Sequence, residues 1–409
     1  LTQWGDRAPQ FKVLSSQIDE RLPAVGMNLH SSVGRSLGLD ERLHSCRDLL
    51  LQQPESNYLH KRMIWLWKNI ERLPEGRSKK SLEEALMPVA SLYWYRNGKY
   101  GGGVRYLEDR AACHKILNDV ELQLRKASQI EGARFDSVDF LGNGDRQLLY
   151  RGDQFGFLVE PRVGGRIRSL DYHPHSLSLI NGYHPAKPEF PGSVHYAVDP
   201  ICGLRDWFAP AELNDVASWL QYLQDDRGLL QSPHESNFRI REEGAQVWLS
   251  GEQLCFNGGR HHPIKIEKAI TVKEEHNELF LSLQVTNLAF HSLQGFYATE
   301  LNFSFSDWNV EKQSVEISED RVVSLNDAEL HSAVTRVYYS DRESGARLRL
   351  KMLNPCSLLT IPISTPTEGE RSLPQCLKLF AIWELALMGQ QKLNTTFSLR
   401  IDRLGLLKR

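Results

Sequence analysis

The sequence predicts an α+β, multidomain chain: an N-terminal helical bundle followed by a large, antiparallel double-sheet β domain. Three observations lead there. Apolar residues recur at helical spacing between about Asp40 and Ile130. After Gly132, short β-rich runs alternate with Gly, Asn, Asp and Pro turns. Between those runs no helical pattern recurs, which disfavours a parallel α/β barrel or a doubly wound sheet. The chain's 409 residues also exceed the size at which a single core stops growing.

Residues 1–45 read as a linker or strap that packs on something else. Gly5, Pro9, Pro23, Gly26, Gly34 and Gly38 interrupt its short apolar runs, and the chain starts at Leu1 rather than Met. A trimmed start is an equal reading. Residues 46–132 read as the bundle. Leu43, Leu49, Leu50 and Leu51 keep helical spacing until Pro54. Pro54 to Asn57 predicts a cap, with Ser56 or Asn57 accepting from the first free amides of the next helix. That helix carries Leu59, Met63, Ile64, Leu66, Trp67 and Ile70 on a broad apolar face. Pro74-Glu75-Gly76 breaks it, and Ser81-Leu82-Glu83-Glu84 opens another with acidic residues where the macrodipole favours them. Tyr93, Trp94, Tyr95 and Tyr100 then cluster ahead of Gly101-Gly102-Gly103. The last helix, about Tyr106 to Ile130, aligns Ala112, Ile116, Leu117, Val120 and Leu124.

Residues 133–409 read as the β domain. Runs such as Gln147–Tyr150, Phe155–Pro161, Arg166–Tyr172, Val247–Ser250, Ser292–Leu301 and Val334–Tyr339 have strand character. Ile264–Val272 nearly alternates, with Ile264, Ile266, Ala269 and Thr271 set against Lys265, Glu267 and Lys268. Leu279, Leu281, Leu283 and Val285 alternate as well, and the turn Glu274-Glu275-His276-Asn277 joins the two into a hairpin. The region is too long for an immunoglobulin-sized sandwich and predicts more than a dozen strands in two sheets.

Composition excludes several functions. A formal net charge of −2 argues against sequence-independent nucleic-acid binding, which needs a basic excess for phosphate. No apolar run approaches the roughly 20 residues of a membrane span, and no signal-peptide pattern opens the chain. The six cysteines are scattered without a Cys-x-x-Cys pair, so neither a zinc ribbon nor a dithiol motif is indicated and a cytoplasmic location is expected.

Two stretches resemble one family. Leu49 to Met63 (Leu-Leu-Leu-Gln-Gln-Pro-Glu-Ser-Asn-Tyr-Leu-His-Lys-Arg-Met) resembles the start of the helical domain that follows the catalytic barrel in glycoside hydrolase family 57, the 4-α-glucanotransferases and α-amylases. Tyr93-Trp94, then Tyr100-Gly101-Gly102-Gly103 and Tyr106-Leu107, resemble later motifs of that domain. Phe155 to Pro161, Gly164 to Ile167, Leu170 to Pro174, Asp206-Trp207-Phe208 and Phe296 to Phe303 resemble its C-terminal sandwich. The resemblance covers about residues 45–405 and implies a galactose-mutarotase-like β-supersandwich. It also implies two departures. Fewer than fifty residues precede Leu49, so this chain does not itself supply the barrel with its carboxylate pair. Where the family carries asparagine-aspartate before the tyrosine-tryptophan and histidine after it, this chain has Ala90-Ser91 and Tyr95.

Within the best-matched motifs, Asp206 and Glu300 are the candidate catalytic carboxylates. A retaining glycosidase needs two carboxyls about 5–5.5 Å apart. Glu300 either faces a pocket or is a buried structural carboxylate, the second being the commoner outcome. Trp207 either stacks on sugar beside Asp206 or anchors a loop in the core. Epimerisation of the mutarotase type would use Glu300 as base with one of His173, His175, His261, His262 or His291 as acid, and no spacing selects among them. His173-Pro174-His175 lacks a third ligand and reads as an exposed loop rather than a metal site. Gly164-Gly165 lacks the residues of a phosphate loop and is expected to serve positive φ or close packing. No cofactor is indicated. Trp65, Trp67, Tyr93, Trp94, Tyr95 and Tyr100 lie close together in the helical part, and most are expected in the core. Any of them that faces a cleft between bundle and sandwich would stack on glucan. The expected carbohydrate-binding set is therefore Tyr93, Trp94, Tyr95, Tyr100 and Trp207. An α-glucan or maltooligosaccharide and a separate catalytic barrel subunit or domain are the expected partners. A C-terminal fragment of an active enzyme, and a sugar epimerase, are the alternatives.

Overall fold

A computed structural model describes residues 54–94, 106–129, 132–182, 202–224, 228, 230, 238–243, 245–257, 259–305, 308–318, 321–366 and 372–404. The predicted segments before Pro54 and the Gly101-Gly102-Gly103 run lie outside them.

Three helices come first. Helix α1 (Pro54–Ile70) starts on Pro54, whose missing N–H costs nothing in a first turn. The predicted cap residues Ser56 and Asn57 are thus inside the helix. Leu59, Arg62, Leu66 and Ile70 recur every three or four residues and are buried. Helix α2 (Arg77–Trp94) begins four residues before the predicted Ser81 and buries Leu82, Leu86 and Val89. Helix α3 (Leu107–Ala127) buries two stripes. Cys113, Leu117, Val120 and Leu124 join the apolar core of the bundle, while Arg110, His114, Asn118, Glu121 and Arg125 are buried and polar. Its termini carry Glu108 and Asp109 at the start and Arg125 and Lys126 at the end, as the macrodipole favours. No helix of the described residues is long and apolar enough to cross a membrane.

A five-stranded antiparallel sheet follows: β1 (Arg134–Val138), β2 (Gln147–Arg151), β3 (Phe155–Glu160), β4 (Arg166–Tyr172) and β5 (Leu177–Ser178), in that order. Strands β2, β3 and β4 are buried along their whole length. Alternation explains this. Leu149 and Leu158 pack into the helical core with Phe140, whereas Leu148, Phe157 and Val159 pack into the β core. Bundle and β domain therefore share a wall. At the β3–β4 turn Gly164 and Gly165 both take left-handed φ of 67° and 66°, as expected for a glycine pair.

The remaining strands are β6 (Arg205–Ala209), β7 (Arg239–Glu243), β8 (Gln246–Asn257), β9 (Arg260–Lys273), β10 (Glu278–Asn287), β11 (Leu293–Phe303), β12 (Gln313–Ile317), β13 (Arg321–Val323), β14 (Glu329–Asp341), β15 (Ala346–Pro366), β16 (Ser372–Leu387) and β17 (Lys392–Arg403). Helix α4 (Val216–Gln224) follows β6. The order runs β13-β12-β14-β15-β17-β10-β9-β8-β7, with β16, β11 and β6 continuing from β15. Strand β15 belongs to both layers: Ala346–Met352 pair with β17, and Ser357–Pro366 pair with β16. The chain thus turns a corner within one long strand, and a single core fills the space between the layers. This is the helical bundle followed by an antiparallel supersandwich that the sequence predicts.

The predicted β9–β10 hairpin is present, with Glu278 opposite Lys273 and Leu281 opposite Ile270. Its facing differs at one point. Ile264, Ile266, Lys268, Ile270 and Val272 are the inward residues of β9, and Lys268 is 1% exposed. The sequence pattern slips phase there because an apolar Ala269 follows a charge, but a strand cannot change faces without a bulge.

Candidate functional site

Strands β6, β11 and β16 bring the predicted carboxylates close in the fold. In register, Glu300 stands opposite Arg205, Thr299 opposite Asp206, and Asn302 opposite Lys378. Side chains alternate along a strand, so Glu300 and Asp206 project from opposite faces of this sheet. On one face the Glu300 carboxylate accepts from Lys378 Nζ at 2.8 Å, Asn302 Nδ2 at 2.9 Å and Trp207 Nε1 at 3.0 Å. Arg205 Nη1 lies 3.7 Å away. Burial opposes ionisation of Glu300, yet the Lys378 and Arg205 charges and these hydrogen bonds outweigh it and hold its pKa at about 2. On the other face Asp206 Oδ2 lies 2.8 Å from Lys268 Nζ, and Asp206 Oδ1 accepts from Tyr297 Oη at 2.7 Å. Burial, then the Asp206 charge, raises the Tyr297 phenol well above its ordinary pKa.

This geometry corrects three expectations. Asp206 and Glu300 cannot act as a glycosidase pair, because a sheet separates them and both are 0% exposed. Trp207 is in a strand, not a loop. It is 1% exposed, its N–H is spent on Glu300, and Phe380 packs edge-on against its ring, so it offers no platform to a sugar. Glu300 is also fully buried with its carboxylate held by Lys378, Asn302 and Trp207, so it is not placed to be the base that an epimerase mechanism requires. The histidines scatter. His173 is buried, not an exposed loop residue, with Nδ1 3.1 Å from the Gly152 carbonyl, while His175 Nδ1 lies 3.1 Å from the Ser344 carbonyl. His262 is buried edge-on to the His291 ring, and His261 packs on Phe256. Among the described residues no group of three or more His, Cys, Asp or Glu is placed to hold a metal.

A second polar centre lies where the bundle meets the first sheet. Arg62 of α1 is its hub. Its Nη1 is 2.9 Å from Asp171 Oδ2 on β4, and its Nη2 donates to Glu121 Oε2 at 2.9 Å and Asn118 Oδ1 at 2.6 Å on α3. Tyr58 Oη donates to Ser169 Oγ at 2.6 Å, and Arg110 Nε donates to the Asn181 carbonyl at 2.7 Å. Burial opposes charge on Arg62 and on Glu121, but Asp171 and Glu121 hold Arg62 charged, and Arg62 in turn holds Glu121 ionised. His114 goes the other way. Burial, then the positive charges of Arg62, Arg110 and Arg168, push its pKa well below the usual value, although Asp171 Oδ1 is 3.9 Å away.

Beside this hub a cleft of about 500 Å³ opens between α1, α3 and β2, a size typical of small-molecule sites. Trp65, Leu73, Glu121, Leu124, Arg125 and Arg151 are among its walls. The Arg151 guanidinium sits over the Trp65 ring, 5.2 Å from its centroid. Trp65 of the predicted helical aromatics lines this cleft; Trp67 Nε1 donates to Glu71 Oε1 at 2.9 Å. Tyr93 and Trp94 form the last turn of α2, and Tyr95 and Tyr100 lie outside the described residues. The Arg62 hub was missed by sequence reasoning. Its one signal was Arg110, His114, Asn118, Glu121 and Arg125 at helical spacing, a stripe that looks like a solvated face until the β domain covers it.

Residues 203–397 match the family model described as alpha-amylase/4-alpha-glucanotransferase, C-terminal. Alpha-amylase 1 of Dictyoglomus thermophilum is 26% identical over 160 residues, which are 38% of this chain and 22% of that protein. An alpha-amylase of Pyrococcus horikoshii is 23% identical over 240 residues, 56% of this chain and 34% of its own length. The crystal structure of 4-alpha-glucanotransferase from Thermococcus litoralis aligns with 97% of this chain and 55% of its own at 15% identity and a TM-score of 0.67, a likeness of fold. The matched parts make up about half or less of each of these relatives. Over residues 203–397, then, the β domain matches the C-terminal domain described for alpha-amylase/4-alpha-glucanotransferase.

Proposed function

We propose that these residues form the helical and sandwich part of an α-glucan-processing enzyme, and that they bind glucan, or scaffold a barrel-bearing partner, without cleaving glucan themselves. The observation that carries this reading is the placement of Asp206 and Glu300 on opposite faces of one sheet, each saturated by a buried cation. The aromatics at and beyond the end of α2, Tyr93, Trp94, Tyr95 and Tyr100, are the proposed glucan-stacking set. The partners are a maltooligosaccharide and a catalytic barrel, carried as a separate subunit or domain. Free, buried Cys113, Cys202, Cys255, Cys356 and Cys376 support a reducing, cytoplasmic setting. The test is calorimetric titration of maltooligosaccharides into wild type and Trp94→Ala, with a reducing-end assay in parallel. Binding by wild type, weakened several-fold in Trp94→Ala, with no new reducing ends, is the expected result. No binding by either leaves only the scaffolding role, and new reducing ends sink the non-catalytic reading.

A second reading, the C-terminal part of an active hydrolase or transferase, is supported by the alignment of 97% of this chain with 55% of the glucanotransferase. A longer chain that includes upstream sequence and releases reducing sugar from α-glucan decides for it.

A further inference from the structure

We infer that a recess on the outer face of the β domain, across β8, β9, β10 and β17, is a saccharide subsite that holds one neutral pyranose ring of an α-glucan. The inference rests on the glucan-binding reading and gives it a location in the sandwich, apart from the helix-end aromatics. Register and alternation build the recess. Trp248 stands opposite Ala269, Ala269 opposite Ser282, and Ser282 opposite Thr396, so the four form one row across four strands. Their strand neighbours Val247, Ile270, Leu281 and Phe397 are buried in the core, which turns this row outward. Ala269 and Ser282 are small beside an indole, so the row drops from the Trp248 ring to a low floor, and a hollow of about 220 Å³ opens there. The Arg241 guanidinium lies 5.2 Å from the Trp248 ring centroid, on the β7 side and away from β9. The opposite ring face is left to the hollow as a platform for sugar C–H groups.

The polar partners stand at the rim, where solvent reaches them. Asn394 is exposed; its Oδ1 accepts from Gln284 Nε2 at 2.7 Å, and its Nδ2 is left to donate outward. The Glu267 side chain is 30% exposed, and its Oε1 accepts from Lys265 Nζ at 2.8 Å while Oε2 is left to accept. Ser282 Oγ and Thr396 Oγ1 lie 3.1 Å apart, so one hydroxyl hydrogen joins the pair and the other is free to donate. Trp248 Nε1 is buried and takes no part. Donors and an acceptor thus share one hollow, and hydroxyls, which donate and accept at once, answer both. An anion fits worse. It would meet the Glu267 carboxylate, while the nearby Lys265 and Lys392 are already engaged by Glu267 and Gln284.

The experiment is fluorine NMR of the whole chain carrying 5-fluorotryptophan, titrated with maltotriose beside calorimetry of the same titration. Trp248→Phe assigns the Trp248 resonance by its loss. Ser282→Tyr fills the floor with a residue that suits a strand surface, so its melting midpoint should stay within a few degrees of wild type. A saturable shift of the Trp248 resonance, weakened at least tenfold in Ser282→Tyr, supports the subsite. Heat of binding with the Trp248 resonance unmoved overturns the subsite and leaves the glucan reading standing. Neither heat nor shift in wild type overturns both. A Trp248 shift of unchanged affinity in Ser282→Tyr overturns the recess as the place of binding. The same shift produced by millimolar inorganic phosphate overturns the choice of a neutral ligand.

Discussion

Lys268 Nζ lies 2.8 Å from Asp206 Oδ2, and neither side chain has any exposure to solvent. The contact crosses the sandwich, joining β9 of one layer to β6 of the other. Tyr297 Oη completes Asp206, and Lys268 also donates to the Leu204 carbonyl at 2.5 Å. Burial lowers the Lys268 pKa, with Asp206 opposing that shift.

Removing one partner of such a pair leaves a buried charge without compensation. Lys268→Met is therefore expected to cost roughly 3–5 kcal/mol in urea unfolding. The double variant Lys268→Met/Asp206→Asn removes both charges, and its amide oxygen still accepts from Tyr297. It should lose less than the single variant. A double variant as unstable as Lys268→Met alone would show that burial of Asp206 is not the source of the loss.

Glu300 makes acid stability measurable. Its folded pKa of about 2 is below the unfolded value of about 4.3, so the folded state holds fewer protons in between. The stabilisation is present above about pH 4.3 and is lost as pH falls through about 2. Glu300→Gln should be less stable than wild type at pH 7, because Lys378 and Arg205 lose their carboxylate. It should also show a shallower decline between about pH 4.5 and 2 in denaturant midpoints taken across that range. An unchanged slope refutes the assignment.

His114 acts in a milder window. Its folded pKa is depressed, so below about pH 6.5 the unfolded chain takes up a proton that the folded chain refuses. Stability is full above that pH and declines as pH falls toward 5. His114→Gln should flatten the decline in midpoints measured between about pH 7 and 5, and an equally steep curve in the variant counts against it.

Arg62 is a fork, and the fork matters. One nitrogen reaches Asp171 on the sheet while the other reaches Glu121 and Asn118 on α3. A lysine ammonium is a point donor on a shorter reach and cannot duplicate both arms. Arg62→Lys is expected to lose about 2 kcal/mol or more, close to Arg62→Met, in urea unfolding. Stability near wild type in Arg62→Lys would mean that charge alone suffices.

Much of the architecture was legible because its signals are local. The β9–β10 hairpin shows in alternating leucines around Glu274-Glu275-His276-Asn277, and α1 and α3 show in residues three and four apart. Strands β6 and β15 to β17 were less legible. Asp206-Trp207-Phe208 is short and bounded by no clear turn, and the 21 residues of β15 serve two layers, so no single period describes them. The candidate site was hardest. Arg62, Glu121, Arg125 and Arg151 are ordinary surface residue types, and only the covering sheet makes them a buried set.

By itself, then, the sequence determined the order of helices and strands, the antiparallel β domain and its family resemblance, since periodicity and short motifs are properties of neighbouring residues. Tertiary structure alone decided which charges are buried and with whom. Asp206 and Glu300 are parted because β6 registers Asp206 against Thr299 rather than Glu300. Lys268 turns inward because its strand holds one phase and Asp206 is there to meet it. Both outcomes depend on pairing between distant segments, which sets faces and partners that no local pattern encodes.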